Sequence, residues 1–234
     1  MPTFNDVLLQ QLRRDPGRPL LTFYDHGTGE RVELSVTTYA NWVAKVAGLL
    51  ADECDLERGQ RLRVDLPAHW LGPVFLGAAW TVGLVVVADE PADAVVCGPG
   101  SVAVHAATAA QRPVLACSLR PLGVRFSEPL PDGVLDVGVE VWSQPDGFTP
   151  YDPPEGSDEA LPGVSQHQLM TTAAAGSLLT DGGRLLTVAN PTSPSGVATF
   201  IEPLVRGGSM VLVANADPER LEATAEQERV TARV

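Results

Sequence analysis

The residues that could do chemistry in this chain are few, and their spacing is loose. Asn190-Pro191-Thr192-Ser193-Pro194-Ser195-Gly196 sets three hydroxyls just ahead of a helical run, so a helix N-terminus there could take an anion. The plain alternative is a turn from strand to helix. His167 opens another helix without an identifiable acid or base partner, and a capping or surface role competes with any ligand role. His26, His69 and His105 are scattered, and no pair has metal-ligand spacing. Cys54, Cys97 and Cys117 are odd in number and read as small buried hydrophobes. Gly98-Pro99-Gly100 lacks both the third glycine of a dinucleotide fingerprint and the Lys-Ser/Thr ending of a phosphate loop, which leaves a turn. No Gly-x-Ser-x-Gly elbow occurs, so a serine hydrolase has no support. Lys45, the one lysine among 16 basic residues, lies outside the apolar stripe of its helix, as a solvated charge does. No catalytic or metal residue is assigned. Asn190, Thr192, Ser193, Ser195, Gly196 and His167 stand as the ligand-binding candidates.

Composition narrows the partners. A net charge of −13 over 234 residues argues against a nucleic-acid surface, because phosphate binding needs clustered cations. The 44% hydrophobic content is ample for a buried core. No run reads as a membrane span, since Leu71 to Ala88 is broken by Gly72, Pro73, Gly77 and Gly83. The N-terminus lacks a secretory pattern, so a cytoplasmic address is expected.

The elements that must position those candidates follow from periodicity. Leu62, Val64 and Leu66 alternate with polar residues, Leu71, Val74, Phe75, Ala78 and Ala79 recur at helical spacing, and Leu84 to Ala88 is apolar on both faces. Strand, helix and doubly buried strand within Gly59 to Pro91 make a parallel crossover unit. The pattern predicts an α/β fold: layered, mostly parallel sheets flanked by helices. Leu20–Tyr24 and Glu30–Leu34 around His26-Gly27-Thr28-Gly29 predict an N-terminal β-hairpin. Asn5 and Ser35 are expected as helix caps, the second for a helix with Tyr39, Trp42, Val43, Val46, Leu49 and Leu50 on one face. Further helices are expected over Val102–Ala110, Gln166–Leu179 and Val197–Val205, and after Asp217-Pro218. Strands are expected at Ala94–Cys97, Pro113–Cys117, Arg184–Ala189, Ser209–Ala214 and Val230–Val234. The Pro/Gly-rich stretch 121–165 reads as an irregular connection between a first lobe, 1–120, and a second, 166–234, the whole possibly folding as one compact domain.

In order and spacing, the residues from Thr38-Tyr39 through GQRLRVDLPAHWLGPVFLGAAWTVGLVVVADEP resemble the opening of the N-terminal domain of AMP-forming adenylating enzymes. Those enzymes are the acyl-CoA synthetases, luciferase-like ligases and nonribosomal-peptide adenylation domains. GGRLLTVANPTSPSGVATFIEPLVRGGSMVLVANADPERLEATAEQERVT is similar to a later segment of the same domain. The resemblance covers more than half of the chain and points to short proteins of actinobacterial type. It implies that 190–196 stands where the family lines an acyl pocket, and that His167 follows the family's phosphate loop.

That loop is a Ser/Thr/Gly-rich run ending in Pro-Lys-Gly, and GSDEALPGVSQHQLM stands in its place without lysine. Such a loop works by aiming amides and hydroxyls at a triphosphate, whereas Asp158 and Glu159 bring negative charge. The family's adenine and ribose contacts and its C-terminal catalytic lysine would fall beyond Val234. The expectation is a non-catalytic interaction or regulatory module, a pseudoenzyme, that self-associates as a homodimer or docks on a protein partner. The alternative is a binder or weak enzyme using an adenylate or acyl ligand in a residual cleft. No cofactor is expected, and ATP or AMP is admitted only by the resemblance.

Overall fold

The chain opens with a capping box, and the residue that makes it is Thr3. Its hydroxyl accepts the Asp6 N–H while the Asp6 carboxylate accepts the Thr3 N–H. Helix α1 therefore runs Phe4–Arg14, and Asn5 lies inside it rather than at its cap. In the computed structural model, which describes residues 1–89 and 91–234, the expected alternation of strands and helices follows. Glu90, within the Gly59-to-Pro91 unit, lies outside the described residues.

Strands β1 (Pro19–Asp25) and β2 (Arg31–Ser35) form the antiparallel hairpin. Ser35 caps α2 (Val36–Gly48) by accepting the Thr38 N–H, and a π turn over Leu49–Glu53 follows. The crossover unit is β3 (Arg61–Asp65), α3 (Leu71–Val82) and β4 (Val85–Val87). Gly83 ends α3 with φ of 94°, a left-handed cap that suits glycine. Next come β5 (Ala94–Cys97), α4 (Val102–Ala106) and β6 (Val114–Ala116).

The stretch 121–165 is more ordered than its composition suggests. It supplies β7 (Val134–Asp136), α5 (Val137–Glu140) and the small hairpin β8 (Glu159–Leu161) and β9 (Val164–Ser165). The chain closes with α6 (Gln166–Ala174), β10 (Arg184–Thr187), α7 (Ala198–Val205), β11 (Ser209–Ala214), α8 (Pro218–Gln227) and β12 (Ala232–Arg233). Asp217 caps α8 with Pro218 in its first turn, as the sequence predicts. Helix α6 stops short of Leu179 because Gly176 packs against the buried Glu202, whose carboxylate accepts the Leu178 N–H at 2.6 Å.

Two sheets result. One has the order β12-β10-β11-β1-β2, parallel except for β2; the other is β4-β3-β5-β6-β7, parallel throughout. The first of these sheets draws strands from both 1–120 and 166–234. The N-terminal hairpin pairs with β11, with Leu21 opposite Met210 in register, and Leu21 and Phe23 are buried in the core. The terminal strand pairs with β10 of its own sheet, Ala232 opposite Leu185.

Strand alternation assigns the layers. Met210 and Leu212 join Leu62, Val96 and Leu115 in one large core, so α1, α2, α3, α6 and α7 fill the space between the sheets. Val211 and Val213 face the other way onto Ala225 of α8, and Val95 and Cys97 face Val102 of α4. Helix α3 is buried on every side, the condition of a helix in a middle layer. The three cysteines are buried free thiols, and burial pushes Cys54 up to about 12. Lys45 departs from expectation: its ammonium pairs with Asp146 at 2.9 Å and donates to the Gln144 carbonyl at 2.6 Å, fastening the 121–165 stretch to α2. Among the described residues no helix is long and apolar enough to cross a membrane.

One side chain joins three of these elements. Gln166, fully buried, accepts the Phe4 N–H at 2.9 Å and donates to the Trp80 carbonyl at 2.8 Å. Gln166→Leu keeps the volume but strands both backbone groups, at about 1–3 kcal/mol each. Urea unfolding should show a loss of about 2–6 kcal/mol, against under about 0.5 kcal/mol for the exposed Gln10→Leu. Equal effects would remove this role.

Candidate functional site

The loop from the end of β10 to α7 holds five of the six candidate residues, and its polar groups are mostly turned on each other. Asn190 donates through Nδ2 to the Leu66 carbonyl at 2.7 Å, tying the loop to the turn after β3. Its Oδ1 accepts the Thr192 N–H at 3.1 Å and the Thr192 hydroxyl at 3.0 Å. The Ser193 hydroxyl donates to the Asn190 carbonyl at 2.7 Å. The Gly196 N–H then donates to the Ser193 carbonyl at 2.9 Å, and the Val197 N–H to the same oxygen at 3.2 Å. Ser195 is exposed.

This winding also closes the start of α7. Thr199 donates through its N–H, at 2.9 Å, and its hydroxyl, at 2.7 Å, to the Gly196 carbonyl, and the Phe200 and Ile201 amides end on Val197. Of the amides that an anion would draw on at a helix N-terminus, those of Val197, Thr199 and Phe200 are already partnered. Gly196 permits the winding: a Cβ there would lie 1.9 Å from the Asn190 carbonyl oxygen.

The segment that the resemblance sets in place of the phosphate loop forms the β8–β9 hairpin and the turn before it. Asp158 is gripped by Arg58 at 2.7 and 2.8 Å and accepts the Glu155 N–H at 2.7 Å. Burial raises its pKa, but the Arg58 and Glu155 hydrogen bonds outweigh this and hold the carboxyl below its ordinary range. Trp80 Nε1 donates to the Ala160 carbonyl at 2.9 Å, which pins the hairpin to α3. No Lys or Arg occurs between Gly156 and Met170.

His167 follows on α6, donating its N–H to the Gly156 carbonyl at 2.9 Å. Its Nδ1 is buried with no hydrogen-bond partner among the described residues. A cavity of about 320 Å³ separates the hairpin from the 190–197 loop. Val87, Leu161, Val164, Thr192, Pro194 and Val197 are among its walls, and His167 is not. The structure thus sets Thr192 on an apolar chamber and leaves His167 outside it.

Spacing alone missed the partners of the other histidines. His105 Nε2 lies 2.7 Å from Asp65 Oδ2, across 40 positions of sequence. Burial raises the Asp65 pKa, and hydrogen bonds from His105 and Ser101 override it downward. The pair fastens α4 to the carboxyl end of β3. His26 bonds Thr224 through Nε2 at 3.1 Å and accepts the Asp217 N–H through Nδ1 at 3.0 Å. Among the described residues no group of three or more His, Cys, Asp or Glu could hold a metal ion.

The paired sheets, the hairpin after 156 and the loop after β10 define the fold of the acyl-CoA synthetase N-terminal domain. An acyl-CoA synthetase from Brucella canis superposes with a TM-score of 0.79 at 20% identity, covering 97% of this chain and 46% of that one. Acetoacetyl-CoA synthetase from Streptomyces lividans gives 0.78 at 17% identity, over 98% and 41%. The N-terminal domain of FACL13 from Mycobacterium tuberculosis gives 0.73 at 16%, over 98% and 62%. The chain therefore spans about half the length of the full synthetases it superposes on. No family model matches the chain. A curated relative does: a TIGR03089 family protein of Mycobacterium tuberculosis (strain ATCC 25618 / H37Rv) is 36% identical over 235 residues, 96% of this chain and 95% of the relative. The chain belongs to the TIGR03089 family.

The close approach at Gly196 yields a direct check of the loop. Gly196→Ala should cost about 1–3 kcal/mol in urea unfolding through overpacking, while Ser195→Ala next to it stays within about 0.5 kcal/mol. An unchanged Gly196→Ala would mean that the loop is not wound as described.

Proposed function

We propose that this chain is a non-catalytic member of the adenylating-enzyme architecture, working in the cytoplasm as an interaction or regulatory module that self-associates or docks on a protein partner. The observation that carries the reading is the fate of the phosphate-loop position. A triphosphate grip needs free amides, hydroxyls and a cation aimed at the phosphates. Here the segment offers a carboxylate already bound to Arg58, and its backbone is fixed by Trp80 and by the start of α6. Losing such charge stabilisation costs a ligase on the order of several kcal/mol in its transition state. Exposed apolar side chains support the interaction half: Trp142, 57% exposed, stacks edge-on against Trp42, and Val139 and Leu9 also face solvent.

A second reading is favoured by one feature, the apolar chamber beside Thr192. It would suit a binder or weak enzyme taking an acyl or adenylate ligand at Asn190, Thr192, Ser193, Ser195 and Gly196. ATP–pyrophosphate exchange with Mg²⁺ and a panel of short, long and aromatic carboxylates tests the first reading. The expected result is no exchange above a heat-inactivated control, and exchange with any carboxylate would overturn it. Saturable heat on titration with a non-hydrolysable acyl-adenylate, without exchange, would favour the second.

A further inference from the structure

The stretch 145–152 crosses the helix layer as a strap. Pro145 and Pro150 have no N–H to give, and among the described residues no backbone group of the stretch is hydrogen-bonded to the rest of the chain. It is held at its ends instead. Lys45 pairs with Asp146 at 2.9 Å and takes the Gln144 carbonyl at 2.6 Å. Arg58 reaches Asp152 at 3.2 Å and the Pro153 carbonyl at 3.3 Å. Between these two pins Phe148 packs against the core. A segment with so few internal bonds is the part of a fold that opens at least cost.

Two cavities adjoin the strap, and Phe148 and Pro150 line both. The first, of about 380 Å³, lies against α1 and α2 and has no charged residue on its walls. The second, of about 530 Å³, takes Ala51, Leu56 and Val82 from the helix layer as apolar lining. That volume is in the range of small-molecule sites, about 300–1,000 Å³. The second cavity shares no wall with the chamber beside Thr192.

The charges on the larger cavity select a ligand. Asp52, Glu57 and Asp152 line it, against Arg58 as the one cation. Arg58 is already engaged by Asp158, at 2.7 and 2.8 Å, and by Asp152. Asp52 and Glu57 enter no ion pair among the described residues. The three lining carboxylates are open to solvent, and so is Tyr151, whose side chain is fully exposed. An aromatic face with carboxylates near it attracts an ammonium group. An anion would meet unpaired negative charge on a chain that carries −13 in all.

We infer that this cavity binds a small amphipathic cation, an ammonium bearing an alkyl or aryl group. Its apolar part lies against Leu56, Val82 and Phe148, and its charge rests among Asp52, Glu57, Asp152 and the Tyr151 ring. The strap admits it by giving way between its two pins. The site is independent of whether the chain is catalytic.

Hexyltrimethylammonium, hexanol and hexanoate put a positive, a neutral and a negative head on one chain. Protein labelled in its Leu and Val methyl groups would be followed by ¹³C–¹H NMR as each is added. The expected result is a saturable shift of the Leu56 and Val82 methyls with the cation, about fivefold tighter than with hexanol, as several weak exposed charge contacts would give together. Hexanoate at the same concentration should leave both methyls in place. Tyr151→Leu, at an exposed position, should weaken the cation about threefold by removing the aromatic face. Equal affinity for the cation and hexanol, a matching response to hexanoate, no saturation by the cation up to its solubility limit, shifts at other methyls only, or unchanged affinity in Tyr151→Leu would each overturn the assignment. All but the last use the unmodified chain, so they do not depend on a variant folding.

Discussion

Two backbone groups that their own helices cannot satisfy, the Phe4 N–H at the start of α1 and the Trp80 carbonyl in the last turn of α3, meet in the amide of Gln166. Such orphans are unavoidable at helix ends and are ruinous when buried unpaired. A middle layer of helices between two sheets buries several of them together. Gln166 answers two with one side chain, and its own N–H is held by the Asp158 carbonyl at 2.8 Å. The position of the β8–β9 hairpin is thereby tied to the packing of α1 on α3. Trp80 adds its indole N–H to the hairpin's Ala160 carbonyl. The segment standing where relatives of this architecture carry a phosphate loop is thus part of the core's hydrogen-bonding scheme.

The same economy governs the 190–196 loop. A binding loop is useful when its donors and acceptors are held in place and left open for a ligand. Here Asn190 and Ser193 use their side chains on the loop itself and on Leu66, and the Val197, Thr199 and Phe200 amides at the start of α7 are consumed by a tightening turn. Both segments that could have gripped a nucleotide are ordered by internal bonds. The larger cavity beside Phe148 is built on the opposite plan, with Asp52 and Glu57 unpaired among the described residues and open to solvent.

Much of the fold was legible because its signals are local. A period-two run gave β3, a turn between two strand-like runs gave the β1–β2 hairpin, apolar runs gave β4 and β5, and Ser35 and Asp217 announced their helices as side-chain caps do. What failed was long-range or hidden by composition. Asn5 looked like a cap because it is a good one in isolation, whereas Thr3 and Asp6 make the reciprocal box. Val134–Asp136 is short and sits among prolines and glycines, and only the exposed edge of β6 makes it a strand. The role of Gln166 depends on residues 162 and 86 positions away, and the His105–Asp65 pair spans 40, beyond any spacing rule. At the candidate site, the loop between β10 and α7 was visible as Pro, Ser and Gly, but its self-satisfaction was not, since that depends on where Leu66 lies.

The central claim is that the two candidate segments, the 190–196 loop and the hairpin after Gly156, spend their polar groups internally. Amide hydrogen exchange at Thr192, Ser193, Gly196 and Val197, with and without MgATP, measures this directly. Slow exchange that MgATP leaves unchanged is the predicted result. Fast exchange that becomes slow only when MgATP is added would contradict the account, because it would show a loop kept open for the nucleotide.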